Sequence, residues 1–197
     1  MTPPQQQRSE TTVAAIVAAA RELFGRHGFS AVSLDNVADA CGRTKGAIYH
    51  HFATKEVLFE EVFTHEQRRL ADDVVAAATS SDPLDSFTEG IAHYLSLIAA
   101  DPIACRITLL DAPSVLGWLQ WRSCDGGPFR LLCAGALDQM VQAGRLRFGQ
   151  PPHLLADVIL GAITEAALIV ATSADPLEAA SRLAGCCTTL ISGIATQ

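Results

Sequence analysis

Lysine is almost missing from this sequence. Of 14 basic residues only Lys45 and Lys55 are lysines, and both stand in the first third of the 197-residue chain. Aromatic residues make up 6% and charged residues 18%, with two tryptophans, two tyrosines and two methionines. No uncharged run reaches the roughly 18 residues that a membrane span needs; the longest, Leu183–Gln197, falls short and is half small or polar. The six cysteines show no Cys-x-x-Cys spacing, and no His-x-x-x-His pair accompanies them, so the usual zinc and redox patterns are missing and neither metal nor cofactor is expected. Arg8 followed by Val13–Ala20 imitates a secretory leader, but Glu10 sits in its basic region. The apolar spacing Val13, Ile16, Val17, Ala20, Leu23, Phe24 also runs straight through the supposed cleavage point as one helix face. With no leader and no span, the chain is expected in the cytoplasm with its thiols reduced. No Ser/His/Asp set, carboxylate pair or phosphate loop points to catalysis, so no catalytic residue is assigned and an enzyme is not expected.

What the chain does have is helical periodicity and an uneven charge distribution. The net charge is −7, yet Met1–Lys55 carries +2 and the remainder −9, a mildly basic head on an acidic body. Met1–Thr11, with Pro3, Pro4 and three glutamines, reads as a loose arm. A helix then runs to about His27 and stops at Gly28. Ser33 is placed to cap a two-turn helix carrying Leu34, Val37, Ala38 and Cys41 on one face, ended by Gly42. Thr44 caps a third helix in which Ile48 and Phe52 share a face, and Thr54 caps a fourth reaching about Ala78. Two short helices joined by a glycine-containing turn form a helix-turn-helix pattern. Further on, Asp82-Pro83, Asp101-Pro102 and Asp175-Pro176 each resemble a cap followed by proline at the first helical position. They set helices at about Leu84–Ala100, Ile103–Leu110 and Leu177–Ala195. Gly126-Gly127-Pro128 marks a loop before a helix from Phe129 to about Ala143, and Leu154–Ala174 is the longest apolar segment. No strand pattern competes, so the fold class is all-α.

The stretch Gly28-Phe29-Ser30-Ala31-Val32-Ser33-Leu34-Asp35-Asn36-Val37-Ala38, then Gly42-Arg43-Thr44-Lys45-Gly46-Ala47-Ile48-Tyr49-His50-His51-Phe52 and Lys55-Glu56-Val57-Leu58, resembles the head of the TetR family of transcriptional regulators. Thr-Lys-Gly-x-x-Tyr-x-x-Phe is its most specific part. Leu110-Asp111-Ala112-Pro113-Ser114-Val115-Leu116-Gly117-Trp118, with Trp121-Arg122 beyond, is similar to a stretch in one subset of TetR-like bodies. The resemblance implies a three-helix DNA-binding head over residues 1–55, including the arm 1–11, and a helical ligand-binding and dimerisation body over 56–197. It also implies that the last two helices pair with those of a second copy, and that a homodimer binds a palindromic double-stranded DNA operator and is released by a small apolar effector. An effector-independent regulator or activator with the same head is the alternative; a helical enzyme is a remote one.

The residues support particular roles. A recognition helix needs small or polar residues where it enters the major groove, and Arg43-Thr44-Lys45-Gly46 meets that need. Arg43 can take guanine bidentately or grip phosphate, Lys45 can reach a base edge or the backbone, and Gly46 permits close approach. Tyr49 and His50, one turn on, can reach flanking phosphates. The resemblance assigns phosphate contact to Ser33, Tyr49 and Lys55; for Ser33 and Thr44 a plain capping role competes. In the body, Glu165 lies among Ala and Ile, so it reaches solvent, pairs, or faces a cavity. His93, Tyr94, Arg106, Trp118, Trp121, Phe129 and Met140 could line a ligand pocket with it, apolar walls with few polar groups being the usual composition; ordinary core is the competing reading for each.

Overall fold

The protein is described by a computed structural model over residues 4–123, 127–146 and 151–195, without the side chains of 4–8, 122 and 123. Met1–Pro3 of the expected arm, the side chain of Arg122, and Cys124 and Gly126 near the expected loop lie outside the described residues. The helices are α1 (Pro4–His27), α2 (Leu34–Cys41), α3 (Lys45–His51), α4 (Lys55–Ala77), α5 (Pro83–Ala100), α6 (Pro102–Cys105), α7 (Ala112–Val115), α8 (Trp118–Ser123), α9 (Pro128–Gln142), α10 (Pro152–Thr172) and α11 (Pro176–Ile194). A π-helical turn, Arg106–Asp111, lies between α6 and α7. No strand occurs among the described residues; Leu146 and Ala195 form an isolated bridge.

Two compact units result, Met1–Glu66 with Ile103–Arg122, and Gln67–Pro102 with Ser123–Gln197. In the first, Ile16, Val17, Ala20 and Phe24 of α1 are buried with Leu34, Val37 and Ala38 of α2, Ile48 of α3 and Leu58, Phe59, Val62 and Phe63 of α4. The rings of Phe24, Phe29 and Phe59 meet pairwise at 5.8, 5.4 and 5.2 Å between centroids, a tilted and edge-on cluster of the kind aromatic quadrupoles favour. Below it Arg21 forks onto Glu66, Nε to Oε1 at 2.7 Å and Nη2 to Oε2 at 3.1 Å. This is the geometry a fully buried carboxylate requires.

The arm is shorter than expected, because α1 already begins at Pro4. Proline at the first helical position lacks an N–H that would have no partner there, and its φ is preset for the helix. Gln, Arg and Glu then continue it as good helix formers. The helix expected at Ile103–Leu110 is found as part of a longer unbroken helical run, Pro102–Val115, whose middle widens into the π-turn. Pro113 explains the widening: it cannot donate to the carbonyl four residues back and its ring crowds that carbonyl, so the preceding turn opens.

In the second unit α5 packs on α9, α10 and α11, and α10 packs on α9 and α11. The Asp-Pro device works at both α5 and α11: Asp82 accepts from the N–H groups of Leu84 and Asp85 at 2.9 and 3.2 Å, and Asp175 from that of Glu178 at 3.0 Å. Buried positions of α10 include Leu155, Ile159, Ile163, Ala167 and Val170. Its opposite side leaves Leu154, Val158, Ala162, Glu165 and Ile169 exposed, a stripe at three- and four-residue spacing. By length and composition α10 would pass as a membrane span, with mean hydropathy 2.1 over its most apolar window. It does so despite Asp157 and Glu165, which a search for uncharged runs rejects. Asp157 takes a bidentate bond from Arg130 at 2.8 and 3.1 Å.

Candidate nucleic-acid interface

Local capping chemistry sets the helix-turn-helix. Ser33 Oγ accepts from the N–H of Asn36 at 3.2 Å, while the Ser33 N–H donates to Asn36 Oδ1 at 2.9 Å, a reciprocal capping box. The Ser33 hydroxyl also donates to Asn36 Oδ1 at 2.8 Å. Gly42 closes α2 with φ of 64°, in the left-handed region, where a side chain would be strained. Thr44 Oγ1 then accepts from the Ala47 N–H at 3.2 Å and starts α3. Only Ile48 of α3 is buried, so the helix is pinned along one line. Arg43, Thr44, Lys45, Gly46, Tyr49 and His50 all remain exposed, with Tyr49 at 55%.

Lys45 is held before any partner arrives. Its Nζ donates to Asp35 Oδ2 at 2.5 Å across the turn. That hydrogen bond first, and the carboxylate charge second, push its pKa above the ordinary lysine value. His50 stands edge-on to His51 at 5.1 Å. Lys55 is tethered too: Nζ donates to the Phe29 carbonyl at 2.9 Å and sits 4.1 Å above the Phe29 ring centroid. Two of its three N–H groups are left by that carbonyl bond. At the start of α4, Thr54 Oγ1 accepts from the Val57 N–H at 3.3 Å. The Glu56 carboxyl is held below the usual range by its own backbone N–H and then by Thr54.

Ser33, Tyr49 and Lys55 come together. With Ser30, Ala31, Val32, Leu34, Ala53 and Thr54 they line one open concavity of about 470 Å³. The first residues of α2 and of α4 both face it, so two helix N-termini meet on one hollow that also holds a lysine and a tyrosine. That combination suits an anion. Asp35 as the keeper of Lys45, and Phe29 as the seat of Lys55, are missed by sequence reasoning. The ten-residue offset from Asp35 to Lys45 matches no helical or strand period.

The candidate ligand residues divide between the two units. In the first, Arg106 is half-buried, Trp118 is exposed at 58%, and Trp121 is buried with its indole N–H donated to the Thr108 carbonyl at 2.9 Å. In the second, Tyr94 and Phe129 are half-buried and their rings meet at 5.0 Å. His93 is half-buried and Met140 is fully buried. Of the three outcomes open to Glu165 the structure shows solvent exposure, because its register places it with Val158, Ala162 and Ile169 rather than with the buried side of α10. Among the described residues no cluster of His, Cys, Asp and Glu could hold a metal. Burial pushes the Cys133 thiol up to about 12 and raises that of Cys187.

Comparison with known proteins agrees with this geometry. Residues 16–62 match the profile of bacterial regulatory proteins of the tetR family, and residues 84–194 match the tetracyclin repressor-like C-terminal domain. The TetC protein of transposon Tn10 from Escherichia coli is 32% identical over 115 residues, 58% of this chain and 57% of that protein. A probable acrEF/envCD operon repressor of Escherichia coli strain K12 is 36% identical over 81 residues, 40% of this chain and 37% of that protein. The chain thus spans little more than half of the first relative and about a third of the second. The crystal structure of a TetR-family transcriptional regulator from Pectobacterium atrosepticum superposes over 97% of both chains, with a TM-score of 0.80 and 26% identity. With a family profile across most of the body, a second across the head and a fold shared along nearly the whole length, the chain belongs to the tetR family of bacterial regulatory proteins, which are DNA-binding transcriptional regulators.

Proposed function

We propose that this chain acts as a homodimeric repressor in the cytoplasm, reading a palindromic operator with residues 1–55 and binding a small apolar effector with residues 56–197. The observation that carries the reading is the hollow shared by Ser33, Tyr49 and Lys55 beside an exposed α3. A phosphate seated there fixes the register of the head while Arg43, Thr44, Lys45 and Gly46 enter the major groove and His50 reaches a flanking phosphate. The Ser33 hydroxyl exchanges its bond to Asn36 for one to the phosphate, and Lys45 exchanges Asp35 for DNA. Repression is supported by the likeness to the probable acrEF/envCD operon repressor. Two copies pair through the exposed stripe of α10 together with α11, where Leu177 and Leu190 also stand open. That pairing sets two heads for half-sites about one helical turn apart. In the second unit the half-buried Tyr94–Phe129 pair, with His93 beside Tyr94 in sequence and Met140 on the same helix as Phe129, has the apolar character an effector site needs.

The test is DNA binding by Lys45→Ala and Tyr49→Ala. Both side chains are exposed, so both variants keep the wild-type melting temperature. Each weakens operator binding at least about tenfold, the equivalent of one good base or phosphate contact. Full binding by both variants contradicts the assignment.

A further inference from the structure

The segment Leu110–Trp118, distinctive in sequence, gains a role from one hydrogen bond. Asp111, the last residue of the π-turn, places Oδ2 2.8 Å from the N–H of Phe29, 82 positions earlier. The contact around this bond is close. A Cβ on Gly25 would lie 2.3 Å from Ile103 Cγ2. One on Gly28 would lie 3.3 Å from Arg106 Nη1 and 3.8 Å from Asp111 Oδ2. Gly28 has φ of 81° and donates its N–H to Phe24 at 2.8 Å. The Phe29 N–H, one residue beyond that left-handed turn, goes to Asp111.

Phe29 is the same residue that holds Lys55. Its carbonyl accepts from Lys55 Nζ at 2.9 Å, its ring lies beneath the ammonium, and that ring is wedged against Phe24 and Phe59. Tying the turn after α1 to the π-turn accounts for the Asp111 bond by itself. It does not account for the tied residue being the seat of a lysine on the anion-binding hollow. With the N–H fixed by Asp111 and the ring fixed by packing, Phe29 has little freedom left, and the direction of its carbonyl is set. We infer that Asp111 is a positioning residue for phosphate contact: by fixing Phe29 it aims the Lys55 ammonium into the hollow it shares with Ser33 and Tyr49. The inference rests on the reading of Lys55 as a phosphate ligand.

Two measurements on the full chain test it. The first needs no DNA. Lys45 and Lys55 are the only lysines, so mild acetylation followed by peptide mass spectrometry gives the Lys55 rate with Lys45 as internal reference. Asp111→Ala is expected to raise the Lys55/Lys45 ratio several-fold, and Asp111→Asn, which keeps an oxygen acceptor for the Phe29 N–H, to restore it. Asp111→Ser replaces Asp111→Ala if the alanine variant does not fold. An unchanged ratio in a folded variant overturns the inference. The second measures binding to a mixed-sequence DNA duplex against salt concentration. Lys55→Met should lower the slope of log Kobs against log salt by about 0.9 per lost phosphate contact. Asp111→Ala should lower it in the same direction, and should add little in a Lys55→Met background. If Lys55→Met leaves the slope unchanged, the phosphate reading of Lys55 fails and the inference falls with it. If Lys55→Met lowers the slope but Asp111→Ala does not, or acts equally in both backgrounds, Asp111 serves only to pack α1 and the inference alone is overturned.

Discussion

Both lysines are engaged in the free protein, and by different kinds of partner. Lys55 rests on a backbone carbonyl and a ring, neutral groups that leave its charge available. Lys45 rests on a carboxylate, which offsets much of its charge. On the proposed reading of Lys45 as a DNA contact, Asp35 competes with phosphate for it, and the competition costs affinity on any sequence. Asp35→Asn should bind a mixed-sequence duplex several-fold more tightly than wild type, since a charged competitor is replaced by a neutral one. The gain should disappear in a Lys45→Met background. Fluorescence anisotropy with labelled duplex reads both; an equal gain in the two backgrounds would mean that Asp35 acts by general repulsion and not through Lys45.

At the scale of elements, the first unit depends on how closely the segment from Ile103 lies against α1. Gly25→Ala puts a methyl where Ile103 Cγ2 already is. It should destabilise the chain by about 1–3 kcal/mol, the usual cost of overpacking, as read by urea unfolding. Ile103→Val in the same chain should recover part of the loss, and a neutral Gly25→Ala would contradict the packing described. None of this is legible in sequence, because residues 25 and 103 share no local pattern. What was legible follows from short-range chemistry: Ser33, Thr44 and Asp175 cap where their side chains suggest, and the face Leu34, Val37, Ala38 is buried as its spacing requires. The misread elements are those where one local rule yields to another. Pro4 starts α1 inside the expected arm, and Pro113 widens the middle of an expected helix into a π-turn. The hollow shared by Ser33, Tyr49 and Lys55 was partly legible, because the family resemblance supplied its members; their meeting at two helix N-termini needed the fold.

At the scale of the whole molecule, the exposed stripe of α10 asks for a partner. Val158 is 71% exposed in a single chain, and with Leu154 and Ile169 it forms the kind of apolar surface that isolated soluble chains rarely leave to water. Val158→Glu should shift the protein to a monomer in sedimentation equilibrium while leaving the helical content of each chain intact. It should also weaken operator binding, because one head alone reads a single half-site; a variant that stays dimeric would place the interface elsewhere. Whether the head reads DNA sequence as one of a pair is decided by selecting bound duplexes from a random pool with the purified protein at two salt concentrations. The expected result is an enriched palindrome with half-sites about one helical turn apart, bound less tightly at the higher salt. Binding that is weak, salt-sensitive and without any enriched sequence would contradict it.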